Sequence, residues 1–563
     1  MKPALADPGY GSLERQVLDL GHRASRGGPI TTLPDGSLIW ATTEPEAPYL
    51  AKAMWAISRL ALRRSTDGGR SWGQPHVFMQ GTKEYSLLSH TLRVTAAGSL
   101  IHLFVRYSGY DYDSGLPEKS LCEVFTHRSH DGGRTWSEPK KVPTAERYNG
   151  DVLSCEQLRD GRLIYPFCYL SNVKAQFRTS AMYSDDDGVT WKRSVTTLEA
   201  GGGGFESGAS EPSAVELPDG LLWMLIRAQT GFTWESFSTD RGVTWTVAKP
   251  SHLPASNAPT VGLRLRSGDI ALAWNNHVQS NYARQSLLLG ITSDGKTFRG
   301  LREIDFTDFQ NNPSDPLLHV TYPYLAETRD GAIAVTYNKG NWSRHNRPAL
   351  AIVQPLYILA RQELVDFRLG RVGWHTTNPG PSPVAVERYV TTSAGDLWME
   401  LEQPANAKTP TGISRNLPLV ADGTVRITMS VVRPEAFVTF GDSLIDPANT
   451  AEGVLRLRFA GGKMMVGAGV AEEVSRNYRN KTTYAYTGRV VKTETAYPKP
   501  VPPDGQLELV VEYRASEQKA TIRMNGGPAM VLATTKVFGL TSIGFANASG
   551  GAVRIGSIRT DLA

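Results

Sequence analysis

Cysteine is scarce in this chain: Cys122, Cys155 and Cys168 are the three in 563 residues. Three cysteines cannot build a disulfide framework, and their spacing matches no zinc site, so no metal is expected. Net charge is small as well. The 60 Lys and Arg against 55 Asp and Glu leave +5, too little over this length to suggest nucleic acid or a membrane surface as partner. No run of about 18 apolar residues occurs, which excludes an ordinary transmembrane helix. No P-loop lysine or nucleotide fingerprint accompanies the glycine run Gly201–Gly204, so no phosphate-bearing cofactor is expected, and none of another kind. The opening residues MKPALADPGYGSLERQ lack an apolar signal core, so no secretion signal is expected. A cytoplasmic chain and a secreted one stripped of its signal both remain open.

What is present is enough for real cores. Hydrophobic residues make up 40% and aromatics 9%, and the length exceeds the roughly 250–300 residues at which single cores stop growing. The chemistry is unevenly spread. All 11 histidines lie at or before His375, as do all cysteines, and 11 of 12 tryptophans lie at or before Trp374. Thr376–Pro383 then reads as a Pro/Gly/Ser linker. We therefore expect a first domain over 1–375, a linker over 376–383 and a second domain over 384–563.

The first domain repeats itself. Ser65–Trp72 recurs as Ser129–Trp136, Ser184–Trp191 and Ser238–Trp245, with a shortened copy at Thr292–Phe298. The shared pattern S-x-D-x-G-x-T-W reads as a hairpin turn. Glycine permits positive φ, Asp and Ser bond the turn backbone, and the ring packs beneath. We read these aspartates as structural staples rather than catalysts. A second repeat interleaves, with turns at Gly36, Gly98, Gly161, Gly220, Gly268 and Gly331, each followed by an apolar strand. Six four-stranded units imply an all-β protein that begins with a six-bladed propeller. The sixth unit has no staple, and the N-terminal Glu14–Leu20 is expected to supply its outer strand.

These staple turns are the Asp boxes (BNR repeats) of the sialidase, or neuraminidase, superfamily, which the chain resembles over roughly residues 14–375. Function has to be argued from the site, because one fold hosts many activities. The innermost strand of each propeller blade begins near the central axis. Counting 8–10 residues back from each turn glycine selects Arg26, His90, Asp151, Glu211 and Tyr322, while blade 5 offers Asn257 and Ala258. So many polar groups at equivalent places argue for a functional pocket, since unpaired buried charge is costly.

The resemblance implies roles for these positions. Sialidases bind a substrate carboxylate with three arginines, whose forked guanidinium matches carboxylate geometry. Arg26, in Ser25–Pro29, resembles the first, although its surrounding motif is degraded. Glu211, in Ser210–Gly220, resembles the catalytic glutamate, and Arg227 and Arg284 resemble the second and third arginines. Tyr322, in Thr321–Leu325, resembles the nucleophilic tyrosine, with Tyr324 a second choice. Such enzymes retain anomeric configuration through tyrosine, an exception to the two-carboxylate scheme. A phenol titrates near 10, so Glu211 would have to activate it.

Two departures stand out. Sialidases carry an acid/base aspartate on the loop after the first inner strand, and between Ile39 and Arg64 this chain has only Glu44 and Glu46. A general acid contributes roughly 10²–10⁴-fold, so Asp151 and His90 are the expected replacements. Where sialidases often place a glutamate to hold the first arginine, this chain has Asn338. Asp111 and Asp113 form an acidic, aromatic loop that could rim the pocket.

Beyond residue 384, alternating strands such as Val425–Val431, Leu455–Phe459 and Leu507–Tyr513, with a hairpin signal at Asn525–Gly527, predict a jelly-roll-like β-sandwich. Glu512–Gly526 resembles the laminin-G/concanavalin-like pattern. Such a module would bind sugar or pack against the propeller. The functional expectation is an exo-acting glycoside hydrolase releasing a terminal acidic sugar from a carbohydrate partner. A polysaccharide lyase acting on a uronate glycan and a non-catalytic glycan-binding propeller are the alternatives.

Overall fold

The computed structural model describes residues 13–563 apart from 19, 21–24, 47–56, 110–117, 119, 172–175, 203–206, 279–283, 308–318, 341–345, 368–372, 377–385, 393–394, 404–409, 433–434, 447–448 and 479–481. The Asp111/Asp113 loop and Gly203–Gly204 therefore lie outside the described residues.

Six antiparallel sheets of four-strand plan form the propeller. Their innermost strands are Ile30–Thr32, Ser86–Val94, Glu156–Gln157, Ser210–Glu216, Val261–Arg264 and His319–Glu327, defining blades 1 to 6. Each runs into the hairpin expected from the sequence. All six turn glycines have φ between 83° and 95°, a backbone region that side chains disfavour. The second strands, such as Leu163–Leu170 in blade 3 and Ile270–Trp274 in blade 5, are buried along their whole length because neighbouring blades cover both faces. Blade 6 takes its outer strand from Leu13–Val17, which pairs antiparallel with Arg347–Val353. The chain thus closes its ring with its own beginning.

The aspartates of the staple turns are hydrogen-bonded alike, whereas the indole bond of Trp136 is not shared by Trp72, Trp191 or Trp245. In blade 3, Ser184 Oγ donates to Asp186 Oδ1 at 2.8 Å, as does the Thr190 amide. Thr190 Oγ1 donates to the other carboxylate oxygen at 2.5 Å. In blade 2 the indole of Trp136 folds under and donates to Gly133 O at 3.1 Å. These bonds hold the aspartates below their ordinary range, Asp67 to about 2. They are fully used within the fold.

The C-terminal part forms an eight-stranded and a seven-stranded sheet. Their inner faces share one core that includes Phe440, Phe459, Tyr513 and Phe545, as a β-sandwich requires. Alternation is clear in Gln506–Arg514, where every second residue faces this core. Of the expected linker 376–383, Thr376 alone is described, and it ends the strand Trp374–Thr376. That strand pairs with Thr411–Val420, and Gln362–Val365 pairs with Ala552–Leu562. Phe367 and Trp374 bury in the second core. The sandwich therefore draws on chain from Gln362 onward, because its core gains two large rings from that segment.

Removing one staple should weaken the fold without touching the centre. We expect Asp186→Ala to cost about 1–3 kcal/mol of unfolding free energy, the range for charge-assisted hydrogen bonds. Urea denaturation would measure it.

Candidate active site

Two inner strands break their ladders at the same relative place. In blade 4 the register shifts between Ser210 and Ser213, and in blade 6 between Thr321 and Tyr324. The residues inside these bulges are Glu211–Pro212 and Tyr322–Pro323. Proline has no amide hydrogen to give the ladder, which favours an interruption there. Glu211 and Tyr322 take positive φ, 39° and 59°, a strain of about 1–3 kcal/mol each for residues with a Cβ. A bulge re-aims the side chain that a regular strand would send sideways.

The two side chains meet. Tyr322 Oη donates to Glu211 Oε1 at 2.7 Å. Arg227, the last residue of the strand Leu222–Arg227, joins both with one nitrogen: it lies 2.5 Å from Glu211 Oε1 and 3.2 Å from Tyr322 Oη. Its side chain is 4% exposed, so little water screens these contacts. Arg284 stands 5.6 Å from the centroid of the Tyr322 ring. Asn257 links the two arginines. Its Oδ1 accepts from Arg227 Nε at 2.7 Å, and its backbone carbonyl accepts from Arg284 Nε at 3.1 Å.

Asp151 completes the cluster on the blade 3 side. Tyr107 Oη donates to it at 3.0 Å. Burial, then the charge of Glu211, raises its carboxyl above the ordinary range, and Arg26 pulls the other way. Arg26 also acts on Tyr107 and Tyr324, which places it on this side. Burial and the Glu211 charge push the Tyr322 phenol well above its ordinary value, against Arg227 and Arg284. A neutral phenol, a carboxylate on its hydroxyl and a carboxyl inclined to hold its proton thus share one half-buried, arginine-rich place. Among the described residues, no group of three or more His, Cys, Asp or Glu could hold a metal ion.

A family model for a BNR repeat-like domain matches residues 60–335. A sialidase of Micromonospora viridifaciens is 28% identical over 356 residues, covering 56% of this chain and 50% of its own. An anhydrosialidase of Macrobdella decora is 28% identical over 207 residues, covering 33% of this chain and 24% of its own. The chain therefore spans at most half the length of these two relatives. Among solved structures, a Trypanosoma rangeli sialidase in complex with 2,3-difluorosialic acid, a covalent intermediate, is 13% identical with a TM-score of 0.46, covering 96% of this chain and 91% of that one. The repeats, the relatives and the six blades agree. The propeller carries a BNR repeat-like domain and resembles the sialidase superfamily.

Of the seven expected site residues, Glu211, Arg227, Arg284 and Tyr322 form one contact network, with Asp151 and Arg26 beside it. His90 does not join. Its Nδ1 lies 3.1 Å from His102 Nε2, and His102 Nδ1 lies 2.8 Å from His127 Nε2, a chain running through the interior of blade 2. The reason is register. The blade 2 bulge falls at Leu88–Ser89, and His90 resumes the ladder opposite Phe104. Glu211 and Tyr322 each stand nine residues before their turn glycine, and the residue nine before Gly98 is Ser89. Ser89 Oγ accepts from the Val152 amide at 2.7 Å, fastening the backbone beside Asp151.

The superfamily's acid position is likewise not filled by Glu44. That residue is buried in ion pairs with Arg59 at 3.0 Å and Arg63 at 2.8 Å, which hold its carboxyl below the ordinary range despite burial. Glu46 is exposed, and the loop 47–56 lies outside the described residues. Asn338 Oδ1 accepts from the Gly27 amide at 2.8 Å, so it fastens the backbone next to Arg26. Tyr107 and Asn257 were missed as site residues. Asn257 stands eleven residues before Gly268, at the edge of the inward-facing count, and a single amide carries no chemical signature.

The histidine chain makes a pH prediction. Burial pushes His90 down to about 3 and His127 to about 4, and His102 also falls well below its ordinary value. Unfolded histidine titrates near 6.5. The stability these neutral rings contribute is therefore complete above about pH 6.5 and lost as pH falls toward the folded values. Unfolding free energy in urea should decline from about pH 7 to 5, and His102→Phe should flatten that decline.

Proposed function

We propose that this chain is an exo-acting glycoside hydrolase that releases a terminal carboxylate-bearing sugar with retention of configuration. The observation that carries the reading is the 2.7 Å bond from Tyr322 to Glu211, with Arg227 bridging both. Tyr322 Oη attacks the anomeric carbon while its proton passes to Glu211. A negative nucleophile would be repelled by a carboxylate at that centre, whereas a phenol deprotonated only as it attacks would not. Arg227 and Arg284, with Arg26, bind the carboxylate.

Asp151 serves as general acid, giving its proton to the departing glycosidic oxygen. Its raised pKa suits that role, because an acid must hold its proton until the bond breaks. In the second half, Asp151 takes a proton from water, which attacks the anomeric carbon. Tyr322 leaves as phenol with the proton held by Glu211, and the sugar is released. The sialidase relatives support a sialic acid or a close ulosonate as the sugar.

A lyase acting on a uronate glycan would use Tyr322 or His90 as base, and burial within blade 2 removes His90 from that choice. Products separate the readings, since a lyase leaves an unsaturated sugar that absorbs in the ultraviolet. Screening sialosides, ulosonates and uronate glycans should reveal release of a saturated acidic sugar. Against the active compound, Tyr322→Phe and Glu211→Gln should each lower kcat by about 10²–10⁴-fold, and Asp151→Asn should do so most for poor leaving groups. Full activity in Tyr322→Phe would rule out this mechanism.

A further inference from the structure

We propose that Asn257 is the residue that tunes the site for an anionic group, by orienting Arg227 and Arg284 with acceptors that carry no charge. The inference rests on the hydrolase reading above and deepens it. The two arginines come from different blades, and each has a long side chain with many rotamers. Asn257 takes hold of both. Its Oδ1 accepts from Arg227 Nε at 2.7 Å, and its carbonyl accepts from Arg284 at both Nε, 3.1 Å, and an Nη.

The backbone leading to these acceptors is pinned to both blades. The Ala255 amide donates to Gly231 O at 2.9 Å, just beyond Arg227 in blade 4. The Ser256 amide donates to Asn275 O at 3.0 Å, at the end of a blade 5 strand. The orientation of the amide follows from its partner. A guanidinium only donates, so the oxygen must face Arg227. That leaves Asn257 Nδ2 buried with no acceptor in the structure, a cost that an aspartate would avoid while binding Arg227 more strongly.

Neutrality is what the amide offers in return. A carboxylate at 257 would cancel one of the two positive charges, and Glu211 already offsets another. It would also stand against the incoming carboxylate, where like charge disfavours binding. Asn257 thus preserves the field that recognises the anion and fixes its direction at once. It is a positioning residue, acting through Arg227 and Arg284.

The test compares Asn257→Asp with the wild-type full chain, using an aryl α-glycoside of sialic acid as substrate. Free sialic acid and its carboxamide, which differ in charge at one group, serve as competing ligands. The wild type should prefer the acid over the amide, and Asn257→Asp should cut that preference by about tenfold or more. KM should rise more than kcat falls, with little change in Tm. A purely structural role would lower Tm and leave the preference intact, and that result would overturn the inference. Should Asn257→Asp fail to fold, Asn257→Ala should still weaken the preference, because Arg227 loses its side-chain acceptor while the carbonyl of residue 257 still holds Arg284; an unchanged ratio would overturn it equally. A wild type that neither cleaves the glycoside nor prefers the acid would defeat the functional reading itself. Cleavage lost in Tyr322→Phe with an unaltered preference in Asn257→Asp would defeat this inference alone.

Discussion

The contact between Glu211 and Tyr322 depends on two strained prolyl bulges, and the rest of the candidate site is arranged around them. A regular inner strand would send alternate side chains into the spaces between blades, where apolar residues belong. Positive φ at both residues turns them out of that alternation, toward each other, across blades that are far apart in sequence. The strain is tolerated because each bulge sits in a strand paired on both flanks, so the ladder over-determines its shape. Proline after each residue removes the amide that would otherwise pull the strand back into register. The same offset in blade 2 carries Ser89, which holds backbone instead of chemistry.

Once the bulges fix the pair, electrostatics divides the labour. Arg227 and Arg284 counter the burial of the Tyr322 phenol, while burial and then the charge of Glu211 make Asp151 keep its proton more readily. The sandwich takes part from behind. Asn416 donates to Ser286 Oγ at 2.8 Å and to Glu303 Oε2 at 2.7 Å, and His375 lies 2.8 Å from the same carboxylate oxygen. Leu444 donates its amide to Asn276 O at 3.1 Å. Blade 5 is thereby fastened to the second core close to Arg284 and to the strand end that pins Asn257. Packing of this kind gives the C-terminal sheets a positional role in the site.

Sequence reading captured whatever repeats. Five staple turns and six hairpin glycines recur at intervals of one blade, so blade number, blade order and the N-terminal closing strand were all legible. The same count reached Glu211 and Tyr322, since both stand nine residues before their glycine. It slipped by one at His90, because a bulge alters alternation without altering composition. Glu44 pairs with Arg59 and Arg63 on the neighbouring strand, a pairing that only register reveals. The second core likewise reached back to Trp374, which composition had grouped with the propeller. Tyr107 left no trace in the sequence and Asn257 showed only its place in blade 5, because the significance of both lies in what they touch. Local chemistry could be read; cross-blade contacts could not.

The account turns on Tyr322 acting as a nucleophile toward an acidic sugar. The most direct measurement is the mass of the intact protein after reaction with a fluorinated sialosyl fluoride, followed by peptide mapping. The account predicts one glycosyl unit added per chain, located on the peptide that contains Tyr322 and absent in Tyr322→Phe. Turnover of the unfluorinated sugar with no adduct on that peptide, or an adduct that persists in Tyr322→Phe, would contradict it.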